Sequence, residues 1–179
     1  MLSHLTNLKE LYCGSTAVTD VSPLAGLVHL EKLYLNFAEV ADLSPLVNLS
    51  RLTYLDCRGT QVTDLGPLRG LSGLHILHCG QTPISDLSPL ANLAKLGTLI
   101  FYETRVSDLG PLSKLFNLKD PLNCSRTPVF DLSPLANLEN LVELFCEQTA
   151  VVDTQCLAHL MNLKIRNNLS EREKFVVYF

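Results

Sequence analysis

The amino-acid sequence predicts an α/β solenoid. This is a right-handed arc with a parallel β-sheet on its concave face and short 3₁₀ or helical turns on its convex face, built from about seven repeats. One apolar pattern, L-x-x-L-x-x-L-x-(C/L/F)-x-x-T-x-(V/I)-x-D-L-(S/G)-P-L-x-x, starts at Leu5, Leu27, Leu49, Leu71, Leu93, Leu115 and Leu138. A period-2 alternation occupies the same place in each copy, and a Ser-Pro or Gly-Pro pair follows a fixed distance later in six of them. One unit cannot bury its own apolar face, so the copies must stack.

The strand is the first element of each unit. Leu11-Tyr12-Cys13 alternates inward and outward residues, the signature of a half-buried strand. It returns as Leu33-Tyr34-Leu35, Leu55-Asp56-Cys57, Leu77-His78-Cys79, Leu99-Ile100-Phe101, Leu122-Asn123-Cys124 and Leu144-Phe145-Cys146. With one short strand per unit, neighbouring strands must pair in parallel.

The turn is the second element. Asp20, Asp42, Asp64, Asp86, Asp108, Asp131 and Asp153 hold one position in every unit. Ser or Gly and then Pro follow in six units, as Pro23, Pro45, Pro67, Pro89, Pro111 and Pro134. Ser-Pro reads as an N-cap plus first helical residue, because proline has its φ preset and no N–H to leave unpaired. The aspartate is expected to accept a backbone N–H just upstream, in an Asx-type turn. Capping accounts for the aspartate column better than calcium binding does.

The spacing breaks once. Five steps between unit starts are 22 residues and the sixth is 23, so the two copies of DLSPLAN, at 86–92 and 131–137, stand 45 apart. The additional residue lies in Lys119-Asp120-Pro121-Leu122. A proline beside an insertion ahead of an interior strand predicts a local bulge or broken ladder.

The motif in LAGLVHLEKLYLNFAEVADLSPL and LANLAKLGTLIFYETRVSDLGPL resembles the leucine-rich repeat family, most closely its 22-residue internalin-like bacterial class. The resemblance covers about residues 5–163 and speaks to fold; such scaffolds host many partners. It implies a binding module from a bacterium. Where many such repeats carry a turn asparagine, this chain has Thr16, Ala38, Thr60, Thr82, Thr104, Thr127 and Thr149. A hydroxyl reaches fewer partners than an amide. A weaker threonine ladder between coils is expected, with a gap at Ala38.

Composition excludes several function classes. The chain has 179 residues, 47% hydrophobic and 18% charged, with a net charge of −4. That charge argues against a nucleic-acid surface. No apolar run approaches a membrane span, and MLSHLTNLKELY lacks the layout of a secretory signal. Five cysteines, Cys13, Cys57, Cys79, Cys124 and Cys146, share one column with Leu35 and Phe101 and read as small buried hydrophobes. In-register parallel neighbours suit a disulfide poorly. Cys156 stands where the last unit lacks its proline. Unpaired thiols suit a reducing compartment, so a cytoplasmic location is expected, with an effector secreted without a cleaved signal as the alternative. Neither the cysteines nor the five histidines have metal-ligand spacing. No phosphate loop or nucleophile motif is present, so the expectation is no enzyme and no cofactor.

Three outward strand columns form the concave face. They run Glu10, Lys32, Tyr54, Ile76, Thr98, Pro121, Glu143; then Tyr12, Tyr34, Asp56, His78, Ile100, Asn123, Phe145; then Gly14, Asn36, Arg58, Gly80, Tyr102, Ser125, Glu147. These columns vary while the apolar and turn columns repeat, as expected of a fixed scaffold with a diversified face. The candidate binding residues are Tyr12, Tyr34, Tyr54, Phe37, Asp56, Arg58, His78, Ile100, Tyr102, Glu143, Phe145 and Glu147. Tyr12, Tyr34 and Tyr54 with Phe37 at the margin form one patch, because tyrosine anchors interfaces. The competing account is stacking that only steadies the sheet. Glu143, Phe145 and Glu147 form a second, acidic patch suited to a basic partner.

The repeats are expected to fill residues 1–163. Residues 164–179 read as a cap over the last coil or, alternatively, a disordered or partner-paired tail. Solenoid ends expose apolar surface, and no N-terminal cap is visible. A non-enzymatic protein- or peptide-binding module is therefore the first functional reading. The alternatives are the recognition fragment of a larger enzyme or effector, and an assembly element that self-associates through its N-terminal end.

Overall fold

The computed structural model of the chain describes residues 5–167. Eight short strands form one sheet: β1 (Glu10–Tyr12), β2 (Lys32–Tyr34), β3 (Tyr54–Asp56), β4 (Ile76–His78), β5 (Thr98–Ile100), β6 (Leu122–Asn123), β7 (Glu143–Phe145) and β8 (Lys164–Arg166). They are parallel and follow chain order, each paired with the next. Coil n below is the repeat that carries strand βn. The register sets Leu11, Leu33, Leu55, Leu77, Leu99, Leu122, Leu144 and Ile165 side by side. Backbone pairing runs past the strands: Cys57 N–H donates to the His78 carbonyl and Gly59 N–H to Gly80. This is the solenoid arc that the repeat implied.

The core is a stack of leucine columns, fully buried from coil two through coil seven. Leucine suits the site because each coil contributes the same volume at the same place, so one shape packs on its copy. Cys57, Cys79, Cys124 and Cys146 lie in that core as free thiols. Burial pushes the Cys57 thiol up to about 12 and Cys146 up to about 11.

Each return to the next strand begins with a three-residue 3₁₀ turn, such as Ser44–Leu46 or Gly66–Leu68. Its chemistry differs from the expectation by one residue. Ser is the first helical residue, not the N-cap, and no side chain caps the residue before it. The aspartate accepts the N–H two residues downstream, not upstream. Ser44 N–H donates to Asp42 at 2.7 Å and Gln155 N–H to Asp153 at 2.7 Å. Where serine is present its hydroxyl also donates to the same carboxylate, at 2.7 Å from Ser88 to Asp86. A serine hydroxyl engaged with its own aspartate cannot cap the helix.

The threonine column is also corrected. No threonine in it bonds the neighbouring coil. Each hydroxyl donates to the carbonyl three residues back in its own coil, as Thr60 to Cys57 at 2.6 Å and Thr104 to Phe101 at 2.8 Å. The reason lies one residue earlier. Ser15, Phe37, Gln81, Glu103, Arg126 and Gln148 have φ of 54–57°, and Gly59 has 67°. That left-handed turn folds the threonine back over its own strand. At Ala38 the backbone N–H donates to Leu35 at 3.0 Å instead. Side-chain bonds between coils come from elsewhere, such as Asn117 to the Ala94 carbonyl and Asn140 to Phe116.

The irregularity expected near Pro121 is present. β6 has two residues where the other strands have three. Lys119 and Asp120 N–H share the Gly97 carbonyl as the matching pairs of earlier coils share theirs, but at 3.2 and 3.3 Å, against 2.7 and 2.9 Å for Glu31 and Lys32 on Lys9. Asp120 compensates by accepting the Thr98 hydroxyl at 2.9 Å.

The array also runs one strand beyond residue 163. Lys164–Arg166 pairs with β7, and Gln155–Leu157 makes the 3₁₀ turn without a proline. The remainder of the segment expected to cap the solenoid, residues 168–179, lies outside the described residues, as do residues 1–4.

Candidate binding face

The pleat sends alternate strand residues outward, and the parallel register aligns them across coils. In the first three coils the expected tyrosines come together. Tyr12 and Tyr34 rings stack at 4.3 Å with 9° between planes. Tyr54 continues the stack at 4.6 Å from Tyr34, and His78 meets Tyr54 edge-on at 5.6 Å. Tyr54 lies one column aside, opposite Lys32 and Ile76, and still reaches Tyr34. The residue directly opposite Tyr34 is the short Asp56.

Asp56 is not available to a partner: it is 1% exposed. Its carboxylate accepts the Arg58 N–H at 3.2 Å, pairs with the Arg58 guanidinium at 3.2 Å and faces His78 Nδ1 at 3.9 Å. Arg58 Nε and His78 Nδ1 are buried without hydrogen-bond partners. A buried carboxylate needs paired charge. Asp56 therefore orders its neighbours, and Arg58 is turned partly inward by it. Phe37 stays half exposed at the margin, with the Arg58 guanidinium 5.9 Å from its ring centre.

Stacking changes what the tyrosine patch presents. Inner ring faces cover one another, so Tyr34 and Tyr54 are only partly exposed. Tyr12, 66% exposed, keeps an outer face. Its hydroxyl donates to Glu10 at 3.0 Å, and Glu10 also pairs with Lys32 at 2.9 Å. The Glu10 hydrogen bond, then Tyr34, raises the Tyr12 phenol to about 12. Lys32 and Tyr12 hold the Glu10 carboxyl below its usual value.

The C-terminal half is wired differently. The Tyr102 ring lies across Gly80, where a Cβ would sit 2.7 Å from ring atoms. Its hydroxyl donates to Gln81 Oε1 at 3.2 Å, and Gln81 donates to Glu103 at 2.9 Å. Arg126 closes the chain by pairing with Glu103. The Gln81 and Arg126 hydrogen bonds lower the Glu103 pKa. Ile100 sits between His78 and Asn123 in the central column. Between Tyr102 and Phe145 is an open depression of about 270 Å³, floored by Asn123 and Ser125 and bordered by Glu147. The expected acidic patch is only partly acidic, because Arg166 of β8 pairs with Glu143 at 3.2 Å.

Sequence reasoning missed Gln81, Glu103, Arg126 and Arg166 as members of this face. The first three sit at the left-handed turn just past the strand, and Arg166 sits on the strand beyond the last full motif. The signal was available in part: the same turn position supplied Phe37.

The sequence profile of Leucine Rich repeats (2 copies) matches residues 6–48 and 50–92. No curated protein matches the chain. Among solved structures, the chain is similar to an internalin, InlF, from Listeria monocytogenes, with 35% identity and a TM-score of 0.89 over 93% of this chain and 50% of that one. It is similar to internalin C2 of the same organism, with 31% identity and a TM-score of 0.75 over 93% of this chain and 84% of that one. A leucine-rich repeat protein of Leptospira interrogans, 21% identical, shares the fold with a TM-score of 0.83 over 92% of this chain and 44% of its own length. The chain thus spans half the length of the InlF structure.

Proposed function

This chain belongs to the leucine-rich repeat family, in its internalin-like class, and from that premise we propose that it is a non-enzymatic module that binds a protein or peptide on its concave sheet. Leucine-rich repeats typically mediate protein–protein interaction. One observation carries the reading further: the concave columns bring Tyr12, Tyr34 and Tyr54 into one continuous aromatic strip. Large, rigid, amphipathic surface of this kind anchors interfaces at low entropic cost. Stacking and binding are compatible here, because the stack pre-orders the surface that a partner meets.

Among the described residues no group of His, Cys, Asp and Glu is placed to hold a metal ion. No helix there is long and apolar enough to cross a membrane. The free thiols favour a reducing compartment such as the cytoplasm.

Affinity capture with the intact protein and with the Tyr12→Ala/Tyr34→Ala/Tyr54→Ala variant, matched for folding by circular dichroism, tests the reading. Specific partners are expected with the first and lost with the second. Identical partners on both would place the site elsewhere. A second reading, self-association through the N-terminal end, draws on Leu8 and Leu11, which stay partly buried where their counterparts are fully buried. Light scattering across concentrations decides it, and a monomer throughout rejects it.

A further inference from the structure

We propose that the depression between coils five and seven is a subsite for one cationic side chain, lysine or arginine, of the bound protein or peptide. The proposal deepens the concave-face reading and rests on it.

Charge accounting along the face singles out this place. Glu10 is paired with Lys32, Asp56 with Arg58, Glu103 with Arg126 and Glu143 with Arg166. Among the described residues Glu147 is in no ion pair. Arg126 lines the same depression, but Glu103 already neutralises it, so the local balance is one uncompensated negative charge.

The hydrogen-bonding groups agree with that sign. Tyr102 gives its only proton to Gln81, leaving its oxygen as an acceptor. Asn123 Oδ1 takes one bond, from Ser125 N–H at 3.0 Å, and has a second lone pair. Ser125 Oγ accepts the Glu147 N–H at 3.2 Å, which ties the floor to the residue bearing the charge. Tyr102, Asn123 and Glu147 thus offer acceptors to a cation, beside an Arg126 whose charge Glu103 already balances. The pocket's two aromatic residues, Tyr102 and Phe145, add ring surface that attracts cations. A volume of about 270 Å³ is room enough for one long side chain. The room comes from short Asn123 and Ser125 standing between the larger Tyr102 and Phe145.

Nuclear magnetic resonance titration of the protein with a blocked pentapeptide carrying a central lysine or arginine, against the norleucine peptide, tests the assignment. Saturable shifts of the Ser125, Arg126 and Glu147 amides are expected with the cationic peptides and not with norleucine. Glu147→Gln should weaken binding about fivefold, the range of one exposed ion pair. Arg126→Gln should tighten it, because Glu103 is then released to the ligand; a purely structural role for Arg126 predicts loss. Equal shifts with norleucine, or unchanged affinity in Glu147→Gln, would overturn the subsite. Saturable shifts confined to Tyr12, Tyr34 and Tyr54 would overturn the subsite and leave the concave-face reading standing. An absence of shifts on every strand overturns the subsite alone, since the capture experiment judges the wider reading independently.

Discussion

Phe37 and Gly59 hold the same left-handed turn position in neighbouring coils, and the Phe37 ring occupies the space a side chain on Gly59 would need. A Cβ built there lies 2.3 Å from the ring. Gly59→Ala therefore meets two penalties: φ of 67° in a residue with a Cβ, and a clash with Phe37. Together they should cost about 2 kcal/mol. In a Phe37→Ala background only the backbone penalty remains, about 1 kcal/mol. Urea unfolding of the four proteins measures the coupling as a double-mutant cycle. Equal costs in both backgrounds would mean that the ring moves aside freely.

The threonine hydroxyls make a graded prediction. Thr82 is buried and donates to the Cys79 carbonyl at 2.6 Å, while Thr16 makes the same bond to Cys13 in an exposed first coil. Thr82→Val keeps the shape and leaves a buried carbonyl without that donor, a loss of about 1–2 kcal/mol. Thr16→Val should be nearly neutral, because water replaces the hydroxyl. Equal effects at the two sites would reject burial as the deciding factor.

These two sites mark the boundary of what was legible in the sequence. The leucine columns were, because burial repeats them at one period and tolerates little else. The proline-marked turns were legible too, since proline restricts φ wherever it stands. The direction of the threonine bond was not. It depends on a left-handed residue that is glycine in one coil only, so no residue type announces it. β8 was hidden because Lys164-Ile165-Arg166 carries one apolar residue and its turn has lost the proline. On the face, the tyrosine patch was legible from spacing alone. The burial of Asp56 was not, because it follows from how Tyr54, Arg58 and His78 pack around it. The neutralisation of Glu143 depends on Arg166, which belongs to the strand that the pattern did not show.

The aspartate turns predict an acid limb. Hydrogen bonds from the serine N–H and hydroxyl hold Asp20 and Asp131 below their ordinary value, and the serine hydroxyl and N–H do the same for Asp42 and Asp86. A folded-state pKa below the unfolded one stabilises at pH above the unfolded value. That stability is lost as pH falls through the folded value. Urea midpoints should hold steady above about pH 5 and decline below about pH 4. The Asp42→Ala/Asp86→Ala variant should start lower at neutral pH and decline less steeply. Parallel curves for the two proteins would show that other groups govern the acid limb.

The cysteine column predicts a sharp split in thiol reactivity. The thiolate is the reacting form, and burial raises the thiol pKa by disfavouring that charge. Cys57, Cys79, Cys124 and Cys146 are buried, and desolvation drives all four upward, Cys57 to about 12 and Cys146 to about 11. Cys13 and Cys156 are raised as well but keep solvent contact. Brief iodoacetamide treatment of the native protein at mildly alkaline pH, read by peptide mass spectrometry, should label Cys13 and Cys156 alone. The four buried cysteines should label only after urea is added, with a concentration dependence that follows global unfolding. Labelling of Cys79 in the native state would mean that the middle of the stack opens locally. The coils would then unfold in separate units rather than as one array.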